Sequence, residues 1–566
     1  MTGRGRGPRR LAALGVVALV LTGGCTDDPE PGPGPDASGS PAPPSSEPVV
    51  TVSTGELRGA DGGAGVTRFR AVPYAAAPTG DRRLAPPAAA TAWTGVRDAV
   101  DPGRDCAEAE DCLTLDVTVP DGAVPDGSGA GEQRPVLVWF PGTTFAAAPT
   151  PGLDPAALVA ENDVVVVVPR SRVGAAGFLD LPGVDGAGTL GLLDQQAALR
   201  WVRAEIENFG GDPGSVTVGG QAAGADAVCA LLGDPDATGL FQQAFLTDAD
   251  CGGVSLADTL TAGTGATASG TWRDRTWARE QDAAWVTDAG CPDPAGQPAA
   301  ALTCVRSLPA EDLLTADAGS GPVLDPALAG RTTRVPLLVQ TSSDAGAVAL
   351  RDRTTQTDPT GAPTEPTGTP TGAATGTGTA TGTATGTATV EPEQEPAEVL
   401  LPERSRELAR LYDLTADGPG SAAAQQEWAP VVADRVFACP ALRLAEETLA
   451  AGAEVRFAEF VVDEPGDPDL TATLFGVDGS DAADATLARQ VRQSVGSFVT
   501  GGRPAGWPEL GPVGDEEPGA TAAMLRFDPP SPEIALVAGY RAEHRCEFWD
   551  AVDVSDDEGQ SASRDG

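Results

Sequence analysis

Short apolar runs alternate with stretches of helical periodicity along the middle of the chain. Val136–Phe140 and Val164–Val168 are apolar runs with the length of buried strands. Gly191–Phe209 repeats apolar residues every three or four positions, which predicts a helix with one buried face. Further elements are predicted as strands at Val216–Val218, Ala244–Leu246 and Leu337–Val339, and as a helix at Leu487–Phe498. Strands and helices in this alternation predict an α/β fold, with a large, mostly parallel central sheet that helices cover on both faces.

The stretch Val216–Ala225 joins one of these strands to a helix through a glycine-rich turn. A β-branched run leads into Gly220-Gln221-Ala222-Ala223-Gly224, and a run of small residues leaves it. This order matches the strand–turn–helix path of a nucleophile elbow, G-x-S-x-G, in which a serine stands at the sharp turn. Ala222 occupies the position of that serine. By itself the stretch is either a chance pair of glycines or a hydrolase elbow without its nucleophile.

Residues 49–550 have the composition of one globular domain, with polar segments on both sides and one inside. Residues 26–48 are rich in Asp, Pro, Gly and Ser, which predicts a disordered tether. Residues 354–396 form a Thr/Gly/Pro/Ala tract that cannot build a core, which predicts a low-complexity insertion in a surface loop. That tract is either O-glycosylated or a bare linker. Residues 551–566 are predicted to be a disordered acidic tail.

Residues 1–25 have the layout of an export signal. Four arginines precede the apolar run Leu11–Leu21, which is too short to span a bilayer comfortably. The run ends at Leu21-Thr22-Gly23-Gly24-Cys25, which resembles a bacterial lipobox, although Thr22 stands where leucine is usual. We therefore predict export and a lipid anchor on Cys25 at the outer face of the cell membrane. The alternative is ordinary secretory cleavage, which would give a secreted protein; Arg9-Arg10 also admits a twin-arginine signal.

The charge of the chain excludes several classes of function. The formal net charge is −44, from 81 acidic and 37 basic residues, and the sequence contains no lysine. Such a chain is a poor partner for nucleic acid or for an anionic membrane surface. Without lysine there is no Schiff base and no lysine general base. The chain has a single histidine, His544, so a Ser-His or Cys-His mechanism would have to use it.

The cysteine count fits an exported protein. If Cys25 carries lipid, eight cysteines remain, an even number that favours disulfides and is consistent with the lipobox. No Cys-x-x-Cys pair points to zinc, and we predict no metal or cofactor. Spacing alone leaves the connectivity open. The eight cysteines are Cys106, Cys112, Cys229, Cys251, Cys291, Cys304, Cys439 and Cys546.

Several longer motifs, in order along the chain, resemble type B carboxylesterases and cholinesterases. They are Phe69–Gly80 with Arg83–Pro87, Glu110–Val117, Gly191–Gln195 with Ala198–Arg203 and Asn208–Pro213, Cys304–Pro309, and Arg541–Asp550. The resemblance implies an α/β-hydrolase fold with a deep gorge and a Ser-Glu-His triad. It also implies disulfides between Cys106 and Cys112, Cys291 and Cys304, and Cys439 and Cys546, and it leaves Cys229 and Cys251 as a fourth pair.

The same resemblance implies that this chain lacks the triad. Its nucleophile position is Ala222, and a methyl group cannot attack an ester carbonyl. Its acid position, in Asp344-Ala345-Gly346, is Ala345, and its base position, in Gly466-Asp-Pro-Asp-Leu470, is Gly466. His544 belongs to the terminal motif and is interpreted as a surface or packing residue.

The oxyanion positions are altered as well. The family's glycine-rich oxyanion loop corresponds to Pro141–Phe145, so its donors become Thr143 and Thr144, with a third donor from Ala223. Branched side chains there are expected to crowd the site, because glycine normally lets the backbone N–H groups approach the oxyanion. Asp344, Asp467 and Asp469 are carboxylates near these positions, and they are either solvated loop charges or the remains of a different acid–base site.

We therefore expect a catalytically degenerate carboxylesterase-like protein that acts in binding or interaction at the cell envelope. Its partner is an unidentified protein or small molecule, and not nucleic acid. Inactive relatives of the family act in adhesion, which makes partner binding the implied class by analogy of fold. The alternative is a carboxylic ester hydrolase with weak or altered activity.

Overall fold

The computed structural model describes most of the chain from residue 47 to residue 552. The described residues are 47–125, 132–142, 144–145, 153–249, 251, 273, 275–316, 318, 321–323, 334–347, 405–415, 422–462, 470–476, 482–503, 506–511, 522–527 and 532–552. The predicted signal, the tether up to residue 46 and the insertion at 354–396 lie outside them. None of the described helices is long and apolar enough to cross a membrane.

Fourteen strands are described. They are β1 Val49–Val52, β2 Gly55–Arg58, β3 Ala60–Gly63, β4 Val66–Pro73, β5 Val96–Asp98, β6 Thr114–Pro120, β7 Arg134–Phe140, β8 Val165–Pro169, β9 Gly211–Gln221, β10 Gln243–Thr247, β11 Leu337–Ser342, β12 Val455–Phe460, β13 Ala523–Phe527 and β14 Glu533–Leu536.

The helices lie mostly between the strands. They are α1 Ala156–Asn162, α2 Gly174–Phe178, α3 Leu190–Glu205, α4 Ala223–Gly233, α5 Arg275–Asp288, α6 Pro298–Ser307, α7 Ala310–Leu314, α8 Ser405–Leu411, α9 Ala422–Val432, α10 Cys439–Ala450, α11 Leu470–Phe475, α12 Ala482–Gly501 and α13 Val537–Glu543. Short 3₁₀ turns occur at Gly80–Arg82, Ile206–Phe209 and Pro235–Ala237, and a π-helical segment, Ala433–Ala438, joins α9 to α10.

Eleven strands form one mixed sheet, in the order β14-β13-β12-β11-β10-β9-β7-β8-β6-β4-β3. The central strands from β8 to β13 run parallel, and antiparallel strands flank them at both ends. Strands β1, β2 and β5 form a separate small sheet. The predicted α/β class is confirmed, and the arrangement is the one that the resemblance implies.

Both faces of the central sheet are buried, which explains the continuous apolar runs in the sequence. Along β7, Val136 and Val138 pack into the core on one face, while Leu137 and Trp139 pack into the core on the other. Helices α3, α4 and α10 cover the first face, and α1 and α12 cover the second. Every strand and helix that the hydrophobic pattern predicts is present, although the last residues of Gly191–Phe209 form a 3₁₀ turn rather than α-helix.

The four disulfides pair the cysteines as the resemblance implies. They join Cys106 to Cys112, Cys229 to Cys251, Cys291 to Cys304 and Cys439 to Cys546. The last of these ties the start of α10 to the C-terminal segment, where Val552 is buried. Composition assigned Val552 to the tail, but it packs in the same apolar cluster as Trp549.

Candidate functional site

The turn at Ala222 has the backbone of a nucleophile elbow. Strand β9 ends at Gln221, α4 begins at Ala223, and between them Ala222 has φ 48° and ψ −121°. A residue with a side chain rarely adopts this conformation, and holding it costs on the order of 1–3 kcal/mol. Hydrogen bonds fix the turn, since the Ala222 N–H donates to Thr247 O at 3.0 Å and the Asp226 N–H donates to Ala222 O at 2.9 Å.

The two glycines of the elbow are required by close backbone contacts. A Cβ on Gly224 would lie 1.9 Å from the carbonyl oxygen of Phe140, and a Cβ on Gly220 would lie 2.4 Å from the carbonyl carbon of Gly224. Any side chain at these positions would force β9, α4 and the end of β7 apart. The Gly-x-Ala-x-Gly sequence is therefore a true elbow, and the chance-pair interpretation is excluded.

The space beside the elbow is small on the side that the structure describes. Phe145, Phe178 and Leu192 pack together with Ala223 and Ala227 of α4, and the rings of Phe145 and Phe178 meet edge to face at 5.1 Å. The cavity that borders Ala223 and Gly224 has a volume of about 40 Å³, enough for about one water molecule.

The oxyanion positions are only partly described. Ala223 is the first residue of α4 and is buried. Thr144 borders the small cavity, and its buried hydroxyl has no hydrogen-bond partner among the described residues. Thr143 lies outside the described residues.

The position of the acid follows β11 directly. Ala345 lies in a short helical turn after Ser342 and is buried, with Asp344 before it. Strand β11 is two strands away from β9, with β10 between them, so this turn is at the same sheet edge as the elbow. The residue that the resemblance assigns to the acid position therefore has a methyl side chain at this edge.

The position of the base, Gly466, and the carboxylates Asp467 and Asp469 lie outside the described residues. The helix that follows them, α11, is linked directly to the elbow. The hydroxyl of Thr471 donates to Gln221 Oε1 at 2.5 Å, and Gln221 immediately precedes Ala222. The chain therefore returns to the elbow where the resemblance implies the histidine loop, and the sequence has no histidine there.

His544 is held elsewhere by two acidic side chains. Its Nδ1 lies 2.7 Å from Asp434 Oδ1, and its Nε2 lies 3.2 Å from Glu459 Oε1. Glu459 belongs to β12, which is three strands from β9, a separation of about 14 Å at the usual strand spacing. Both ring nitrogens are engaged and the side chain is buried, so His544 is a packing residue and not a surface one.

The surroundings of His544 favour the protonated ring. Burial alone would lower the pKa of His544, but the hydrogen bonds to Asp434 and Glu459 outweigh burial and raise the pKa to about 9. Tyr412 and Arg545 hold the second oxygen of Asp434, at 2.6 Å and 3.5 Å. Sequence reasoning missed this network. The only signal was a pair of charged residues, Arg456 and Glu459, in an otherwise apolar strand.

Similarity to known proteins agrees with this geometry. The model of the Carboxylesterase family matches residues 46–519. The para-nitrobenzyl esterase of Bacillus subtilis (strain 168) is 37% identical over 217 residues, which are 35% of this chain and 43% of that protein. Human carboxylesterase 5A is 34% identical over 271 residues, 44% of this chain and 43% of that protein. The chain thus aligns with less than half the length of these curated relatives.

Solved structures match over a longer span. A carboxylesterase of Geobacillus stearothermophilus, solved at pH 6.2, superposes with a TM-score of 0.63 at 26% identity, covering 88% of this chain and 99% of that one. A PNB esterase superposes with a TM-score of 0.62 at 24% identity, and this match supports a shared fold only.

The sheet order and the strained turn between β9 and α4 define an α/β-hydrolase scaffold. Because the family model covers most of the sequence, the chain belongs to the carboxylesterase family.

Proposed function

We propose that this protein is a non-catalytic member of the carboxylesterase family that works by binding a partner or ligand. The observation that carries the proposal is Ala222, which occupies an intact elbow at the apex where the nucleophile would stand. The other parts of the mechanism support it. Ala345 offers no carboxylate, and the one histidine is bound to Asp434 and Glu459 away from the elbow.

The loss of several parts together weighs against a weak hydrolase. Removing triad members leaves catalysis of about 10³–10⁴ over water, and that remainder depends on the oxyanion hole. Here Thr144 replaces a glycine of that hole, and the neighbouring cavity is about 40 Å³. Among the described residues, the space beside the elbow is therefore small for an ester substrate.

Restoring the nucleophile alone is expected to leave the protein inactive. In Ala222→Ser the new hydroxyl would have no base to take its proton, so we expect no saturable turnover of short-chain aryl esters above the parent protein. The purified parent and the variant should also remain unlabelled by a serine-reactive fluorophosphonate, with heat-denatured protein as the background control. Stoichiometric labelling of either protein, or a large gain in turnover from this one change, would favour the hydrolase alternative.

We also propose that the protein is exported and anchored by lipid on Cys25 to the outer face of the cell membrane. The order of arginines, apolar run and cysteine supports this location, as does the pairing of the other eight cysteines with one another. Metabolic labelling with a fatty-acid analogue is expected to mark the parent protein and to be lost in Cys25→Ala. Equal labelling of a Cys25→Ala variant would discard the anchor, and an unlabelled parent recovered from the medium would favour secretion.

A further inference from the structure

A second, larger cavity lies apart from the elbow, between helix α3 with the loop before it, helix α4 and helix α5. Its volume is about 480 Å³, within the range of about 300–1,000 Å³ that is usual for small-molecule sites. Most of its wall is apolar and comes from those elements. The apolar lining residues are Leu181, Val184, Leu192, Leu193, Ala230 and Leu231.

Two arginines on α5 supply the positive side of this cavity. Arg275 and Arg279 are one helical turn apart, and their side chains are 43% and 47% exposed. Arg275 Nη1 and Arg279 Nε each lie 3.3 Å from a carboxylate oxygen of Asp180, whose side chain is fully buried. Two guanidinium groups therefore share one buried carboxylate, and both remain partly exposed.

The neighbouring acidic residues are engaged elsewhere. Asp282 pairs with Arg273 at 3.0 Å and accepts the backbone N–H of Asp180 at 2.7 Å. Asp234, at the end of α4, also lines the cavity, but it accepts the side-chain amide of Gln196 and the backbone N–H of Asp236. These bonds leave the negative charge of Asp234 in place, so the two arginines face two carboxylates, Asp180 and Asp234, and the capacity for an anionic ligand comes from the partly exposed guanidinium groups.

We infer that this cavity binds an amphiphile with a single carboxylate head group. The planar guanidinium groups of Arg275 and Arg279 match a carboxylate in geometry and charge, and the apolar wall matches a hydrocarbon body. This ligand class specifies the binding role proposed above, and it therefore rests on that proposed function. It uses a different place in the fold, because only Leu192 and Ala230 belong both to this wall and to the packing beside the elbow.

The test is isothermal titration calorimetry of the purified protein with decanoate, decanol and decyltrimethylammonium, which share a ten-carbon chain and differ in the charge of the head group. We expect one saturable decanoate site per chain, with both other compounds at least about tenfold weaker, since hydrogen bonds to a charged group typically contribute that much. Arg275→Gln and Arg279→Gln should each weaken decanoate about tenfold. Each single variant leaves one arginine on Asp180, so the fold is expected to remain, which circular dichroism checks.

Two further variants separate the cavity from its surroundings. Ala230→Phe places a ring in the cavity and should abolish decanoate binding, whereas Arg58→Gln, at an exposed arginine of the small sheet, should leave it unchanged. Absence of saturable binding, equal affinity for decanoate and decanol, or full affinity in both arginine variants would overturn the site. If decanoate does not bind and no ester turnover is seen, the proposed non-catalytic role remains and only the cavity site is rejected. Ester turnover with intact decanoate binding would remove the proposed function and keep the site.

Discussion

Replacing Asp194 by alanine is expected to lower the free energy of unfolding by about 3–5 kcal/mol, since it would strand a buried arginine. Arg172 Nε donates a hydrogen bond to Asp194 Oδ2 at 2.8 Å, and Arg172 Nη2 donates one to Asp194 Oδ1 at 2.7 Å. The two side chains are 0% and 3% exposed. The backbone N–H of Arg172 also donates to this carboxylate at 3.1 Å, so the pair ties α3 to the loop after β8. Urea unfolding at pH 7 measures the loss.

Two variants distinguish a buried charge pair from an ordinary contact. Asp98→Ala removes one of the two acidic partners of Arg58 in an exposed ion pair and should cost less than about 1 kcal/mol, because solvent screens such pairs. The double variant Arg172→Met, Asp194→Leu should recover part of the loss, since the stranded charge is then absent. A cost for Asp194→Ala no larger than that for Asp98→Ala would contradict the argument.

Raising the pH from 6 to 10 is expected to lower the free energy of unfolding by about 3 kcal/mol through deprotonation of His544 alone. The pKa of His544 is about 9 in the folded chain, against an ordinary value of 6.5, so folding favours the protonated ring. The contribution to the free energy of unfolding is complete below about pH 6.5 and is lost as the pH rises through 9. Few other side chains titrate in this window, because the sequence has no lysine and one histidine.

The three tyrosines add a smaller loss at the upper end of this window, because burial raises the pKa of Tyr74, Tyr412 and Tyr540 in the folded chain, whereas unfolded tyrosine ionises near pH 10. Unfolding by urea at pH 6 and at pH 10 gives the difference, and nuclear magnetic resonance follows the single imidazole directly. His544→Gln is the matched control. It should be less stable than the parent at pH 6 and keep only the smaller loss from the tyrosines between the two pH values. A variant that keeps the full pH dependence would show that other groups cause it.

The sequence predicted the scaffold well because its signals are local or contained in long motifs. The run Val136–Phe140 alternates between two buried faces, and such a run has few structural solutions other than a central strand. Gly220 and Gly224 predicted the elbow, because only glycine fits where β9, α4 and β7 come within contact. The lack of a hydroxyl at Ala222 and the single histidine of the chain follow from the sequence and need no coordinates.

The sequence could not place the charged groups that the fold buries. Nothing within a few residues of His544 shows that Asp434 and Glu459, 110 and 85 positions away, hold its ring. The cavity of about 480 Å³ is formed by three elements whose spacing depends on how helices pack on the sheet. From the sequence, Arg275 and Arg279 are indistinguishable from solvated charges on a helix surface. The structure shows that both contact the buried Asp180.

What the sequence determined by itself is the scaffold and its missing hydroxyl, because backbone preference and side-chain chemistry are properties of a residue and its near neighbours. The tertiary structure decided that Ala222 keeps the strained turn of an elbow, that His544 is bound between two carboxylates, and that a separate apolar cavity carries two arginines. These depend on distances between segments far apart in the chain, and such distances are fixed only when the whole sheet and its covering helices pack together.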